Sequence, residues 1–373
     1  MAPGRYFPNF FFAFCFGNLY DSNMKNLFSK QRLFVQMRFL IFGLIIGAGL
    51  YFGNVQFTFG KGVSSTPTYS ATAITQNLSK LQNITGQLRI TPFGSADKYM
   101  NVVGQTKHVL KLQTYDFTEK RIKALFKQLL DKGVNIQLIQ EDKKYQQFQN
   151  TFKQVQNLFS GYVNFQIKSD KQMGTEYVHS KINIVDSGFI IQTANLTHSS
   201  LFVNREHFFW SQHSGVLASL TMIFDKDRKG EKIQLRDIHP NLVICNINCR
   251  TVIEQLFSGA KTSIIIQTQY IADQNIMKIL QSKSALERRF IVSDTDSSDD
   301  ALKLFPNTIL KRLKKPYNHT KMILIDHKIL LLGSMNLSAN SMDKNREIGI
   351  ILLDPTIIKE FLSQFEKDRQ LSK

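Results

Sequence analysis

Tyr177-Val-His179-Ser-Lys181-Ile-Asn-Ile-Val-Asp186 and Tyr317-Asn-His319-Thr-Lys321-Met-Ile-Leu-Ile-Asp326 are two copies of one pattern, His-x-Lys-x-x-x-x-Asp. Each runs into an apolar stretch, a small-residue turn and an Asn, which is Asn195 in the first copy and Asn336 in the second. One copy alone carries little information, because so short a pattern arises by chance in roughly a few chains per hundred of this length. The surroundings repeat as well. Asn195 and Asn336, Asn204 and Asn345, Glu206 and Glu347, and Phe224 and Phe365 are each 141 apart (336 − 195 = 141), while His179 and His319 are 140 apart. Upstream, LKLQTYDF around Gln113 matches IIIQTQYI around Gln267, at an offset of 154 (267 − 113). The halves also end alike, as Phe224-Asp-Lys-Asp-Arg228 and Phe365-Glu-Lys-Asp-Arg369. The body of the chain is an internal duplication.

Each copy has the same coarse plan. The first opens with a strand at Val109–Thr114 and continues into a helix over 119–132, with Ile122, Leu125, Phe126, Leu129 and Leu130 on one face. Gly133 ends that helix, and 134–139 alternates as a strand. In the second copy the matching pieces are Ser263–Thr268, a helix over 276–281 and a short strand over 290–292. The motif strand, a tight turn and a further strand follow, at 188–193 in one copy and Ile329–Gly333 in the other. Apolar strands separated by helices predict an α/β layer structure with helices outside. The charged stretch 225–236 is expected to link the halves.

In a strand, residues two apart share a face, so His179 sits with Lys181 and His319 with Lys321. Bringing the two faces together gives one pocket with two imidazoles and two ammonium groups, and Asn195 and Asn336 beside them. Such a pocket suits a phosphate. The cations and amides neutralise its oxygens, one imidazole attacks phosphorus, and the other protonates the departing oxygen. These roles need opposite protonation states, and a carboxylate near each ring would fix its tautomer; Glu206 and Glu347 are the candidates. Asp186 and Asp326 come five residues after each Lys, on the opposite strand face, which suits holding a turn or the interface between halves.

Lys and Arg total 47 against 29 Asp and Glu, a formal charge of +18 that favours anionic partners: phosphates, nucleic acid or an anionic membrane surface. The KRLKK run at 311–315 reads as a solvated face, with steering of an anionic substrate as the minority reading. The remaining histidines, His207 among them, read as ordinary surface or core residues. Cys15, Cys245 and Cys249 make no disulfide framework and no zinc spacing, and read as small buried thiols.

The N-terminal region differs from the body. Residues 1–32 are basic and aromatic, without a clear reading. Residues 33–55 contain the uncharged stretch FLIFGLIIGAGLYF and read as a transmembrane anchor, or else as a signal sequence. Lys25, Lys30, Arg32 and Arg38 precede its core, which puts the catalytic body across the membrane; secretion after cleavage is the alternative. Residues 56–84 read as a linker, 85–228 as the first repeat and 229–373 as the second.

The paired motifs resemble the signature of the phospholipase D superfamily over about residues 85–370, in a form similar to bacterial phospholipase D-like and cardiolipin synthase-like proteins. The second copy is complete through Gly333-Ser334-Met335-Asn336, Asn345 and Glu347. The first has Gln192-Thr193-Ala194-Asn195 in place of Gly-Ser-x-Asn, one residue closer to Asp186. The resemblance implies two α/β halves with mixed sheets, related by a pseudo-two-fold, and a site at their interface. It implies a catalytic set of His179, Lys181, Asp186, His319, Lys321 and Asp326, with phosphate held by Asn195 and Asn336. Glu206, Glu347, Thr193 and Ser334 would support them, with no metal or cofactor. It also implies that His179 attacks and His319 serves as acid and base, a choice the residues alone leave open. The expected substrate is a phospholipid, hydrolysed or transferred to an alcohol. A nuclease and a cardiolipin synthase-like transferase are the alternatives. With both motifs in one chain, no obligate homodimer is expected.

Overall fold

Runs such as INIV, GFIIQ, KMILI and IGIIL leave no strand face for water, and β5 (Ile182–Val185), β6 (Gly188–Gln192), β12 (Lys321–Ile325) and β14 (Ile348–Leu352) are buried along their whole length. They are the centres of two sheets in a computed structural model that describes residues 79–92, 94–142 and 151–373. In chain order, the first half has β1 (Gln87–Ile90), α1 (Ser95–Gly104), β2 (Val109–Thr114), α2 (Lys120–Asp131), β3 (Asn135–Gln140), α3 (Thr151–Leu158) and β4 (Phe165–Ser169). After β5 and β6 come β7 (His207–Ser211) and α4 (Ser214–Lys229). The second half has β8 (Leu242–Ile244), α5 (Cys249–Gly259), β9 (Ser263–Thr268), α6 (Gln274–Ser282), β10 (Glu287–Ser293), α7 (Asp299–Leu304) and β11 (Leu310–Leu313). After β12 come β13 (Ile329–Gly333), α8 (Ala339–Asp343), β14 and α9 (Pro355–Leu371).

Among the described residues each half carries a seven-stranded sheet, ordered β4-β3-β2-β5-β6-β7-β1 and β11-β10-β9-β12-β13-β14-β8. The two orders correspond strand for strand. In both, the first three strands run parallel and the rest pair antiparallel, so each sheet is mixed. Alternation along the strands divides the core. Ile182, Ile184, Met322, Leu324, Leu330 and Leu332 join a core shared by both sheets, with Phe224 of α4 and Phe361 and Phe365 of α9. Val185 and Ile190 face a separate core under α1 and α2, while Ile323, Ile325 and Leu331 face one under α5 and α6. All the described residues belong to one compact unit, Thr68–Lys373.

Several expectations are corrected. The motif strands start at Ile182 and Lys321, so each His lies on the extended segment just before its strand. The stretch 225–236 is not simply a linker: 225–229 completes α4, where Phe224 and Asp227 are buried. The KRLKK run is partly an edge strand, with Arg312 paired to Asp294 and Asp299. Cys245 and Cys249 are joined in a disulfide: four residues apart at the entry to α5, their Cα atoms come within 4.5 Å. The anchor at 33–55, the N-terminal stretch and most of the linker lie outside the described residues. No helix among those described is long and apolar enough to cross a membrane.

His207 occupies the position that Ile348 takes in the other half (348 − 207 = 141). It is fully buried, neither ring nitrogen has a hydrogen-bond partner, and its ring lies edge-on to Phe361. Burial, with a smaller contribution from Arg205, pushes its pKa down to about 3. Protonation therefore favours the unfolded chain, whose His titrates near 6.5. Stability from this residue is full above that value and falls as pH drops toward about 3. His207→Ile should remove on the order of a few kcal/mol of acid-induced destabilisation across that window. Denaturant melts of both proteins from pH 7 to pH 4 check this, and parallel curves would refute it.

Candidate active site

The segments ahead of β5 and β12 are held by the opposite half. The His179 N–H donates to the Arg346 carbonyl (2.9 Å), and the Arg346 N–H to the Tyr177 carbonyl (2.8 Å). The mirror pair is His319 N–H to Arg205 carbonyl (3.1 Å) and Arg205 N–H to Tyr317 carbonyl (2.8 Å). The residue after each Arg is the carboxylate for the ring. Glu347 Oε2 lies 2.8 Å from His179 Nδ1, and Glu206 Oε1 lies 2.8 Å from His319 Nδ1. Each histidine is thus oriented by the glutamate of the other half. With Nδ1–H donating to a carboxylate, Nε2 is the nitrogen left with the lone pair.

Both glutamates are fully buried. Thr193 Oγ1 donates to Glu206 Oε2 (2.6 Å). Ser334, its expected counterpart, accepts the Ile348 N–H instead, as Thr193 also does from His207. The hydroxyl on Glu347 comes from Ser341 (2.5 Å), with Asn345 Nδ2 at 3.2 Å from the same oxygen. Sequence reasoning missed Ser341; its signal is the helical turn that starts with the capping Ser338.

Lys181 Nζ donates to the His179 carbonyl (2.5 Å), and Lys321 Nζ to the His319 carbonyl (2.7 Å) and Gln269 Oε1 (3.4 Å). Both imidazoles feel both ammonium groups, so the four residues form one electrostatic cluster. Burial dominates it. It lowers His179 to about 4, against the pull of Glu347 and with the push of Lys181. It also lowers His319, while Glu206 acts upward. Lys181 falls to about 8 and Lys321 to about 7, again chiefly through burial. Burial acts to raise Glu206 and Glu347, but the facing imidazole and lysine outweigh it and keep both ionised. The Oδ1 atoms of Asn195 and Asn336 are buried without a hydrogen-bond partner. Asn336 donates its backbone N–H to Ser341 (2.9 Å), one bond removed from Glu347.

The site is not symmetric. Tyr115 lies edge-on to His179 with ring centres 5.2 Å apart, and Lys181 Nζ is 6.0 Å from its centroid. The matching position in the other half is Gln269, which bonds Tyr317 Oη (3.0 Å) and reaches Lys321. The altered turn at Gln192 has a steric reason. In the second copy Gly333 faces Gly349, and Met335 fills the space a Cβ would need. In the first copy the smaller Ala194 takes the place of Met335, which makes room for Gln192; its amide bonds the Ala194 carbonyl (2.9 Å).

Asp186 and Asp326 do not join the cluster. Asp186 accepts the N–H groups of Lys107 (2.6 Å), His108 (3.1 Å) and Val109 (3.0 Å). Asp326 accepts those of Lys261 (3.0 Å), Thr262 (2.7 Å) and Ser263 (3.0 Å). Each anchors the entry to the strand beside its own, about five residues or ~17 Å along the strand from the lysine. This corrects their place in the catalytic set, in keeping with the turn-holding role that strand geometry suggests. Among the described residues, Glu141, Asp142 and Asp170 bring carboxylates within 4.8 Å of one another. Glu141 accepts the Val178 N–H (2.8 Å) and Asp142 pairs with Lys171 (3.0 Å). Asp326→Asn should cost about 1–3 kcal/mol of stability through its anchoring bonds while leaving the titration of both site histidines unchanged. Thermal melts with histidine NMR check this, and a displaced His319 titration would refute it.

A family model described as the phospholipase D-like domain of cardiolipin synthase matches residues 99–228 and 253–369, one segment in each half. Cardiolipin synthase 1 of Bacillus anthracis is 25% identical over 179 residues, covering 45% of this chain and 32% of that protein. The match therefore spans about a third of that relative's length. Among solved structures, phosphatidylserine synthase of Haemophilus influenzae Rd KW20 superposes with a TM-score of 0.61 at 12% identity, covering 82% of this chain and 91% of that one. Polyphosphate kinase of Porphyromonas gingivalis gives 0.60 at 15% identity, covering 76% and 50%. At these identities the structural likeness is one of fold. The paired motifs, the duplicated sheets and a family model spanning well over half of the sequence place this chain in the phospholipase D-like domain family.

Proposed function

We propose that the chain breaks phospholipid phosphodiesters through a covalent phosphohistidine on His179, with His319 as acid and base. The observation that carries this reading is the crossed pair of His–Glu contacts. It presents two Nε2 atoms with fixed tautomers beside two ammonium groups. In the first step His179 Nε2 attacks phosphorus, the bond to the leaving oxygen breaks, and protonated His319 gives that oxygen its proton. In the second, His319 takes a proton from water or an alcohol, whose oxygen attacks phosphorus and frees His179. Lys181 and Lys321 supply positive charge for the phosphoryl oxygens, with Asn195 and Asn336 proposed as amide donors to them. Burial disfavours the charged form of both imidazoles, and the asymmetry that supports His179 as the attacker is Tyr115, which lies edge-on to its ring.

The family description and the cardiolipin synthase relative favour a phospholipid over nucleic acid, and an alcohol acceptor over the hydrolysis that sequence alone suggests. Residues 33–55 would hold the chain at a membrane surface.

His179→Ala and His319→Ala should each lower turnover of phosphatidylglycerol vesicles by at least about a thousandfold, with products resolved with and without glycerol. Cleavage of single- or double-stranded nucleic acid instead of lipid would overturn the substrate. A lysine holds phosphate while charged, and here that charge is lost as pH rises through about 7 at Lys321 and about 8 at Lys181. The alkaline limb of kcat/KM should therefore begin near neutrality. A limb delayed to the ~10 of an ordinary lysine would refute this.

A further inference from the structure

A second set of crossed contacts lies behind the first. Arg205 and Arg346 are the middle residues of the repeated Asn-Arg-Glu triplets, and Asp227 and Asp368 lie near the ends of α4 and α9. Each pair is separated by the repeat offset (346 − 205 = 141; 368 − 227 = 141). Arg205 holds Asp368 with two bonds, Nε to Oδ2 (2.8 Å) and a terminal nitrogen to Oδ1 (2.9 Å), and its other terminal nitrogen holds the Thr91 carbonyl. Arg346 holds Asp227 (3.1 Å), the Cys245 carbonyl (3.1 Å) and Asn246 (2.8 Å). All four charged residues are buried.

Each aspartate also reaches the motif by a second route. Asp227 accepts Gln113 Nε2 (2.9 Å), and Gln113 Oε1 accepts the hydroxyl of Ser180, the residue between His179 and Lys181 (2.5 Å). Asp368 accepts Gln267 Nε2 (2.8 Å), and the hydroxyl of Thr320, between His319 and Lys321, donates to the Gln267 backbone carbonyl (2.7 Å). Around His179 the circuit closes: Asp227 holds Arg346, whose backbone holds His179, and Asp227 holds Gln113, which holds Ser180. Around His319 the first arm is the same, with Asp368 holding Arg205, whose backbone holds His319, while Thr320 is fixed by the Gln267 main chain rather than by the amide that Asp368 holds. A buried ion pair adds little net stability over an apolar pair of similar volume, because desolvating two charges offsets their attraction. What the ion pair supplies here is directional position.

We propose that Asp227 and Asp368 are positioning residues, each assigned to one histidine, with Asp227–Arg346 setting His179 and Asp368–Arg205 setting His319. Loss of one charge then disables one chemical step and spares the other. The kinetic form of this assignment rests on the reading that His179 attacks and His319 transfers protons.

The test uses the full chain with Asp227→Asn, Asp368→Asn and the paired apolar variants R346M/D227L and R205M/D368L. The probe is a p-nitrophenyl phosphodiester, whose leaving group departs without a proton. Asp368→Asn should release a burst of about one equivalent of p-nitrophenolate and then stall at least tenfold below wild type, with phosphohistidine recovered after alkaline quenching. Asp227→Asn should show no burst and a first turnover slowed at least tenfold. In histidine NMR titrations the first should move only the His319 pKa and the second only that of His179. Identical behaviour of the two variants in both measurements would overturn the proposal. If the single variants unfold, the paired variants carry the test. They should fold and reproduce the two kinetic patterns, and a return to wild-type turnover would show that the ion pairs only fill space. If wild type yields no phosphohistidine while the titrations separate as stated, the assignment stands and the reaction reading falls.

Discussion

The structure depends on two buried carboxylates whose partners lie in the opposite half. Glu206 and Glu347 are fully withdrawn from water, and a lone ionised carboxylate in that position costs several kcal/mol. Here the compensation comes from His319 and His179 across the interface, together with Lys321 and Lys181. A half folded by itself would leave its glutamate without the facing imidazole and its imidazole without the tautomer-fixing acceptor. Docking the halves and assembling the site are therefore one event. The shared core, formed from the inward residues of both sheets and the helices α4 and α9, supplies the apolar burial that accompanies it.

Much of this arrangement was legible in the sequence. The repeat offsets set residues such as Glu206 and Glu347 in register, and strand periodicity separated the lysines from Asp186 and Asp326. The apolar runs signalled strands buried on both faces. What was not legible is which glutamate serves which histidine. Sequence spacing places Glu206 nearer His179, but the pseudo-two-fold hands it to His319, and that exchange exists only in three dimensions. Ser341 was hidden because the repeat puts the matching hydroxyl at Ser334, while the local helical turn offers a different one. The edge strand β11 was missed because its short, charged segment LKRL carries no alternation, while β4, FQIKS, does alternate but over only five residues. His207 looked ordinary because a polar residue at the start of HFFWS gives no sign of lacking a partner.

The electrostatics of the cluster follow from burial acting on groups of both signs. Withdrawal from water disfavours the charged form of every imidazole and ammonium group there, and the two glutamates oppose that tendency. Burial therefore limits the positive charge that the cluster retains. A phosphodiester of the kind proposed would bring a negative charge that relieves this constraint, favouring protonated lysines and a protonated imidazole. On the proposed reading, substrate binding and proton uptake would be linked, and the anion would help to create the acid that its own leaving group needs.

Tyr115 and Gln269 show what placing both halves on one chain permits. Two identical subunits around a true two-fold must carry every substitution twice, so any change beside one histidine is copied beside the other. In a tandem chain each position mutates alone. An aromatic ring has come to border His179, while the equivalent position near Lys321 carries an amide. The duplication thus opened a route to division of labour between chemically identical side chains, and this one unmatched pair of neighbours records that the two lineages of the repeat have already parted.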